Sequence, residues 1–192
     1  MKKGLTEIVF LLDRSGSMAG FERDTIGGFN SFVKQQCEQE GETLLTAVLF
    51  DDQYEVLWDG INANEVVMTD QDYYVRGMTA LQDAVGKTIV TVGKRLSETN
   101  EEDKPEKVIV VITTDGMENS SSEFTQAKVR ELIEQQRQLY SWEFIFMGAN
   151  IDASKEAASI GITEENAFQF EASEIGFEKM YMDVCEAVSN IR

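Results

Sequence analysis

Short apolar runs alternate with longer segments of helical spacing along most of the chain. The runs are rich in β-branched residues and nearly continuous: EIVFLLD (7–13), TLLTAVLF (43–50), YEVLW (54–58), KVIVVITTD (107–115), WEFIFMGA (142–149) and, more weakly, AFQF (167–170). Such runs suit strands covered on both faces, as in a parallel sheet. The segments between them repeat at three and four residues. Ile26, Phe29, Val33 and Cys37 form one stripe, and Leu81, Ala84, Val85, Thr88, Ile89, Val92 and Leu96 a second. Phe124, Ala127, Leu132, Ile133 and Gln136 form a rougher third, and Phe177, Met180, Val184, Val188 and Ile191 a last amphipathic helix. Ser120 and Glu123 stand in capping-box spacing, which predicts the start of the third long helix there.

The resulting order, β-α-β-β-α-β-α-β-α-β-α, predicts an α/β, doubly wound, mostly parallel sheet of six strands with helices on both faces. The link FDDQY between the second and third runs is too short for a crossover. The third strand is therefore expected to be antiparallel and at a sheet edge. Pro105 lies in the charged link SETNEEDKPEK, just before a strand. With no long linker and no internal repeat, residues 1–192 are expected to form a single domain.

Charge narrows the range of partners. The formal net charge is −18. Between Asp51 and Asp72 the acids Asp51, Asp52, Glu55, Asp59, Glu65, Asp70 and Asp72 occur without a Lys or Arg. No basic cluster is present to neutralise phosphates, so no nucleic-acid binding and no binding to an anionic membrane surface is expected. Histidine is absent, which removes His-based zinc sites, Ser-His-Asp triads and Cys-His pairs. Cys37 and Cys185 fall on helical apolar positions and read as free thiols in a reducing cytosol, with a bridge between the two helices as the alternative. The start MKKGLTEIVFLLD imitates a signal peptide, but Glu7 interrupts its apolar region and Asp13 ends it, so a cytoplasmic location is expected.

In a doubly wound sheet, function sits at the carboxyl ends of the strands near the switch in strand order. The first strand ends in Asp13-Arg14-Ser15-Gly16-Ser17, and the central one in Asp115-Gly116. The loop before the second helix carries RGMTAL, with Thr79 at the helix start. The oxygens of Asp13, Ser15, Ser17, Thr79 and Asp115 are therefore expected on one rim. Each residue alone has a plain structural use: Asp13 and the serines as caps of the first helix, Thr79 as a cap of a helix beginning at Ala80, Asp115-Gly116 as a turn.

Taken together, the D-x-S-x-S of residues 13–17, the separate Thr79 and the Asp115 of TTDG resemble the metal-ion-dependent adhesion site of the von Willebrand factor type A domain family. The resemblance runs from the first strand to the last helix. TALQDAV after the threonine is similar to bacterial, stand-alone members. One departure is visible: family threonines often follow two glycines, whereas Thr79 follows Gly77 and Met78. The resemblance implies a Rossmann-like sheet and a bound Mg²⁺ or Mn²⁺. Ser15, Ser17 and Thr79 would ligate it, Asp13 and Asp115 would act through waters, and one position would stay open for a protein partner's Asp or Glu. Hard cations of this kind take oxygen ligands, and a shell of neutral hydroxyls keeps the ion electrophilic.

Specificity is then expected from the surrounding rim of Arg14, Met18, Tyr73, Tyr74, Arg76, Met78, Glu118 and Asn119, with core packing as the other reading for the two tyrosines. The implied function is a non-catalytic protein-binding module that is a monomer on its own. The competing enzyme reading is a Mg²⁺-dependent phosphohydrolase with Asp13 as nucleophile, but that chemistry wants a second carboxylate where this chain has Ser15. A nucleotide-binding sheet is the third reading, and neither G-x-G-x-x-G nor G-x-x-x-x-G-K follows the first strand.

Overall fold

The computed structural model describes residues 1–192. Six strands form one sheet: β1 (Lys2–Asp13), β2 (Glu42–Phe50), β3 (Tyr54–Asn62), β4 (Pro105–Thr114), β5 (Glu143–Ala149) and β6 (Ala167–Phe170). Their spatial order is β3-β2-β1-β4-β5-β6. All neighbouring pairs are parallel except β2–β3, so the antiparallel edge strand is where the short FDDQY link requires it. The helices are α1 (Glu22–Cys37), α2 (Leu81–Glu98), α3 (Gln126–Tyr140), α4 (Ala153–Ser159) and α5 (Glu174–Ile191).

Alternate residues of each central strand feed two cores. Ile8, Phe10 and Leu12 point to the face covered by α1 and α5, where they meet Phe29, Phe32, Val33, Phe177 and Val184. Val9 and Leu11 point to the opposite face, against Val85, Ile89, Val129 and Ile133 of α2 and α3. This two-sided demand explains the continuous apolar strands. Phe10 anchors the first core, edge-on to Phe29 and Phe32 at ring separations of 5.6 and 5.2 Å.

Several boundaries differ from the sequence reading. β1 begins at Lys2 rather than Glu7, and β3 runs on to Asn62 rather than ending at Trp58. Both extensions pair with a neighbouring strand through backbone groups, which polar residues supply as well as apolar ones. Pro105 opens β4 instead of belonging to the link before it, a position that tolerates its missing N–H. The third long helix starts at Gln126, not at Ser120. Its cap is Thr125, whose side chain accepts from the Lys128 amide, while residues 120–123 form a loop held by other carboxylates. Cys37 and Cys185 are free thiols. No helix is long and apolar enough to cross a membrane.

Glu7 is fully buried in β1, on the α2 side of the sheet. Arg95 of α2 reaches it with its guanidinium, Thr46 Oγ1 donates to it at 2.7 Å, and Arg95 Nε also bonds Asp59 at 2.8 Å. The acid that breaks the apolar start of the chain is therefore a buried ion-pair partner.

Candidate metal centre

The strand order reverses between β1 and β4, so their carboxyl ends diverge into loops on opposite sides of the sheet. That is where an α/β sheet offers a crevice. Leu12 is opposite Thr113 in the ladder, which brings Asp13 beside Thr114 and places Asp115 one residue beyond.

The first loop is built around Asp13. Its Oδ1 accepts from the Ser15 amide at 2.7 Å, its Oδ2 accepts from Thr114 Oγ1 at 2.7 Å, and its carbonyl oxygen accepts from the Tyr73 hydroxyl at 2.7 Å. A 3₁₀ turn (Gly16–Met18) follows, and α1 begins only at Glu22. Neither Asp13 nor the serines cap α1; its N-cap is Phe21, with no side-chain bond. The two serines instead face each other, Oγ to Oγ at 3.1 Å, and Ser17 Oγ donates to Asp115 Oδ1 at 2.6 Å.

Thr79 joins them from the third loop. It does not cap α2, whose first residue is Leu81 and whose cap has no side-chain bond. Its backbone is fixed by Asn119: the Thr79 amide donates to Asn119 Oδ1 at 2.9 Å, and the Asn119 amide donates to the Thr79 carbonyl at 3.0 Å. A Cβ built on Gly116 would stand 3.4 Å from Thr79 Oγ1 and 3.6 Å from Ser17 Oγ, so the two hydroxyls flank the space above Gly116. All five oxygen-bearing residues read from the sequence therefore meet at one place.

The electrostatics of this cluster are unfavourable as it stands. Burial pushes the Asp13 carboxyl up to about 6, against the hydrogen bonds from Ser15 and Thr114, and the nearby Asp115 charge adds to the rise. Burial also raises Asp115, against its bond from Ser17. Asp115 Oδ2 is buried with no hydrogen-bond partner. Such an orphan acceptor is costly unless water or a cation satisfies it. Two buried carboxylates, an unsatisfied oxygen and three converging hydroxyls are a donor set that fits a hard divalent cation.

The rim divides in two. Tyr74 is 44% exposed, Met78 54%, and Asn119 is also exposed, so these three face solvent beside the site. Three other residues read as rim are corrected by their burial. Arg14 is fully buried, with Nη1 2.5 Å from Glu55 and Nε 3.7 Å from Asp51. Met18 packs in the α1–α5 core. Tyr73 does so too, its hydroxyl spent on Asp13. Glu118 is half-buried and ties loops together, accepting from the amides of Gln82, Ser120 and Ser121. Arg76 is partly exposed and bonded to Asp51 and Gln53. Two exposed residues were missed. Met117, 64% exposed, is an apolar residue in the polar stretch 115–123, which is the signal that could have found it. Asn150 directly follows the apolar run of β5, adopts a left-handed φ of 57° and donates to the Asp115 carbonyl at 3.4 Å.

The loop between β4 and α3 hangs on Asp83 of α2. Its carboxylate accepts from the amides of Ser122 at 2.9 Å, Glu123 at 2.9 Å and Phe124 at 2.7 Å. Burial would raise this carboxyl, but the three amides outweigh it and hold it below its ordinary value. Its contribution to stability is therefore present above the unfolded pKa and lost as pH falls through the folded one. Asp83→Ala is expected to cost about 1.5–3 kcal/mol at pH 7, the range for hydrogen bonds to a charged group, and the difference from the unsubstituted chain should shrink below about pH 4. Urea denaturation at both pH values measures this.

The sequence signature of the von Willebrand factor type A domain matches residues 7–181. No curated protein matches the sequence. Among solved structures, proximal thread matrix protein 1 from the mussel byssus superposes with a TM-score of 0.66 at 18% identity, covering 96% of this chain and 46% of its own. A further structure of that protein, described as having a zinc-occupied MIDAS motif, gives 0.64 at 18% identity with the same coverage. The PilB minor pilin of Streptococcus sanguinis gives 0.62 at 12% identity, covering 95% of this chain and 61% of its own. The chain thus spans about half the length of the mussel protein. At these identities the likeness is one of fold, and the signature over residues 7–181 supplies the kinship. This chain belongs to the von Willebrand factor type A domain family.

Proposed function

We propose that the chain is a non-catalytic protein-binding module whose partner is held through a divalent metal. Ser15, Ser17 and Thr79 would hold Mg²⁺ or Mn²⁺ by their hydroxyls, with Asp13 and Asp115 behind them as counter-charge. The ion would supply an electrophilic point for an Asp or Glu carboxylate of the partner. The observation that carries this reading is the buried, unpartnered Asp115 Oδ2 beside three hydroxyls that converge without capping a helix. Met78, Met117 and Tyr74 offer the apolar and aromatic surface that protein interfaces favour. The net charge of −18 repels acidic partners at long range, so the partner should carry basic residues around its key carboxylate.

Burial weighs against Asp13 as a phosphohydrolase nucleophile. Both of its oxygens accept hydrogen bonds within the fold, and the residue is almost wholly enclosed. The free thiols fit a reducing compartment, in keeping with a cytoplasmic module.

The test is capture of a partner from source lysate on the immobilised chain. Binding should require Mg²⁺ or Mn²⁺, weaken as salt is raised, be released by EDTA and be lost in Asp13→Ala. Full retention in EDTA would overturn the metal bridge. Phosphatase turnover that needs Mg²⁺ and disappears in Asp13→Asn would overturn the non-catalytic reading.

A further inference from the structure

The loop that carries Thr79 is not part of the sheet, yet its hydroxyl must meet Ser15 and Ser17 from the loop after β1. Backbone bonds stitch it to two neighbours. The Arg76 amide donates to the Arg14 carbonyl at 2.8 Å, the Gly16 amide to the Gly77 carbonyl at 3.1 Å, and the Ala80 amide to the Asp51 carbonyl at 2.8 Å. Asp51 belongs to the turn between β2 and β3, and its side chain is fully buried. Arg76 closes this arrangement from the outside: Nε donates to Asp51 Oδ2 at 2.8 Å and Nη2 to Gln53 Oε1 at 2.7 Å. Behind them lies the buried Arg14 guanidinium, 3.7 Å from the same Asp51 oxygen. The Tyr74 ring lies 5.4 Å from one guanidinium carbon and 5.6 Å from the other. Gly77 adopts φ +68°, and a Cβ there would come within 2.2 Å of Asp52 Oδ1. The exposed Asp52 end could move aside, but the positive φ and the buried Asp51 side chain, 3.0 Å from such a Cβ, favour glycine at 77.

We infer that Arg76 is a positioning residue for the metal site: its fork onto Asp51 and Gln53 clamps the Thr79 loop to the β2–β3 turn, and so sets Thr79 Oγ1 against Ser17. The clamp adds a side-chain hold to the backbone bonds and the Asn119 pair that already tie the loop down. Without the fork the buried Asp51 keeps the Gln53 amide on its Oδ1 at 2.7 Å and the Arg14 guanidinium 3.7 Å away, so its charge stays compensated and the fork's main effect falls on where the loop rests. Groups that orient ligands from outside the first coordination sphere typically change metal affinity 10–100-fold.

This inference rests on the metal reading proposed above. Its test is Mn²⁺ titration calorimetry of the whole chain with Arg76→Ala, Thr79→Ala and the double variant. Arg76→Ala should weaken binding about 10–100-fold with little change in the urea midpoint. The double variant should bind no more weakly than Thr79→Ala alone, because the clamp acts through that hydroxyl. Without metal, hydrogen exchange at the Gly16 and Ala80 amides should quicken in Arg76→Ala. If Arg76→Ala does not fold, Arg76→Lys keeps one arm of the fork and should show an intermediate affinity. Binding by the unsubstituted chain with an unchanged Kd in Arg76→Ala or Arg76→Lys, or losses that add in the double variant, would overturn the clamp alone. No binding by the unsubstituted chain would overturn the metal reading and the clamp with it.

Discussion

Replacing Asp13 and Asp115 together by asparagine is expected to bring Mn²⁺ binding below detection while leaving the metal-free chain at least as stable as before. Each substitution alone should weaken binding about 10–100-fold, as for groups that orient and balance a metal's ligands. The stability half of the expectation follows from burial. Asp13 is enclosed and its carboxyl is pushed up to about 6, and Asp115 is raised as well. At neutral pH the metal-free fold therefore holds both charges at a cost on the order of 2–3 kcal/mol for Asp13 alone. Asparagine keeps the shape and an acceptor for the Ser15 amide, and removes the charge. Urea denaturation in EDTA compares the metal-free proteins. Mn²⁺ added at 100 times Kd should then stabilise only the unsubstituted chain, by about 2.7 kcal/mol. A loss of several kcal/mol by the double variant in EDTA would mean that the two carboxylates serve the fold as acceptors, and would count against a site held ready for a cation.

Arg95→Ala is expected to be the most damaging single change away from the site. It strips the buried Glu7 of its only cation and leaves Thr46 Oγ1 as the remaining partner. Breaking a buried pair in this way typically costs about 3–5 kcal/mol, because a charge stays enclosed without compensation. In a chain of this size that lowers the thermal midpoint by about 6–20 °C. Adding Glu7→Gln should recover part of the loss, since the amide keeps an acceptor for Thr46 without the charge. Circular dichroism melts of the three variants measure this. A fall no larger in Arg95→Ala than in an exposed control such as Lys128→Ala would show that Glu7 is not held by its partner.

Much of the fold was legible because sheet burial is a local demand. A strand covered on both faces must be apolar at successive positions, and runs such as VFLL and VIVVI carry that demand openly. The short FDDQY link fixed the antiparallel edge for a similar reason, since no crossover fits in so few residues. The ends of elements were less legible. Lys2 and Asn62 enter the ladder through backbone groups that every residue shares. At the third long helix, Ser120 and Glu123 had the spacing of a capping box, but Glu118 and Asp83 claimed the amides of that loop first.

The candidate site divides along the same line. Asp13, Ser15, Ser17, Thr79 and Asp115 could be brought together from sequence because each lies at or just beyond the carboxyl end of a strand or just before a helix, and the sheet gathers such points on one edge. The alternating serines and the strand-ending aspartates belong to the chain's own pattern. Which charged or aromatic neighbours face solvent does not. Arg14 is buried because Glu55 and Asp51 arrive from another hairpin, and Tyr73 because its hydroxyl reaches a carbonyl sixty residues earlier. Met78 and Met117, equally apolar, stay exposed because no element crosses the loops that carry them. Local periodicity thus determined the elements, their order and the five oxygens. The pairing of buried charges, the clamp on the Thr79 loop and the make-up of the rim were decided only when distant segments met, because a charge or ring is satisfied by whatever the tertiary fold sets against it.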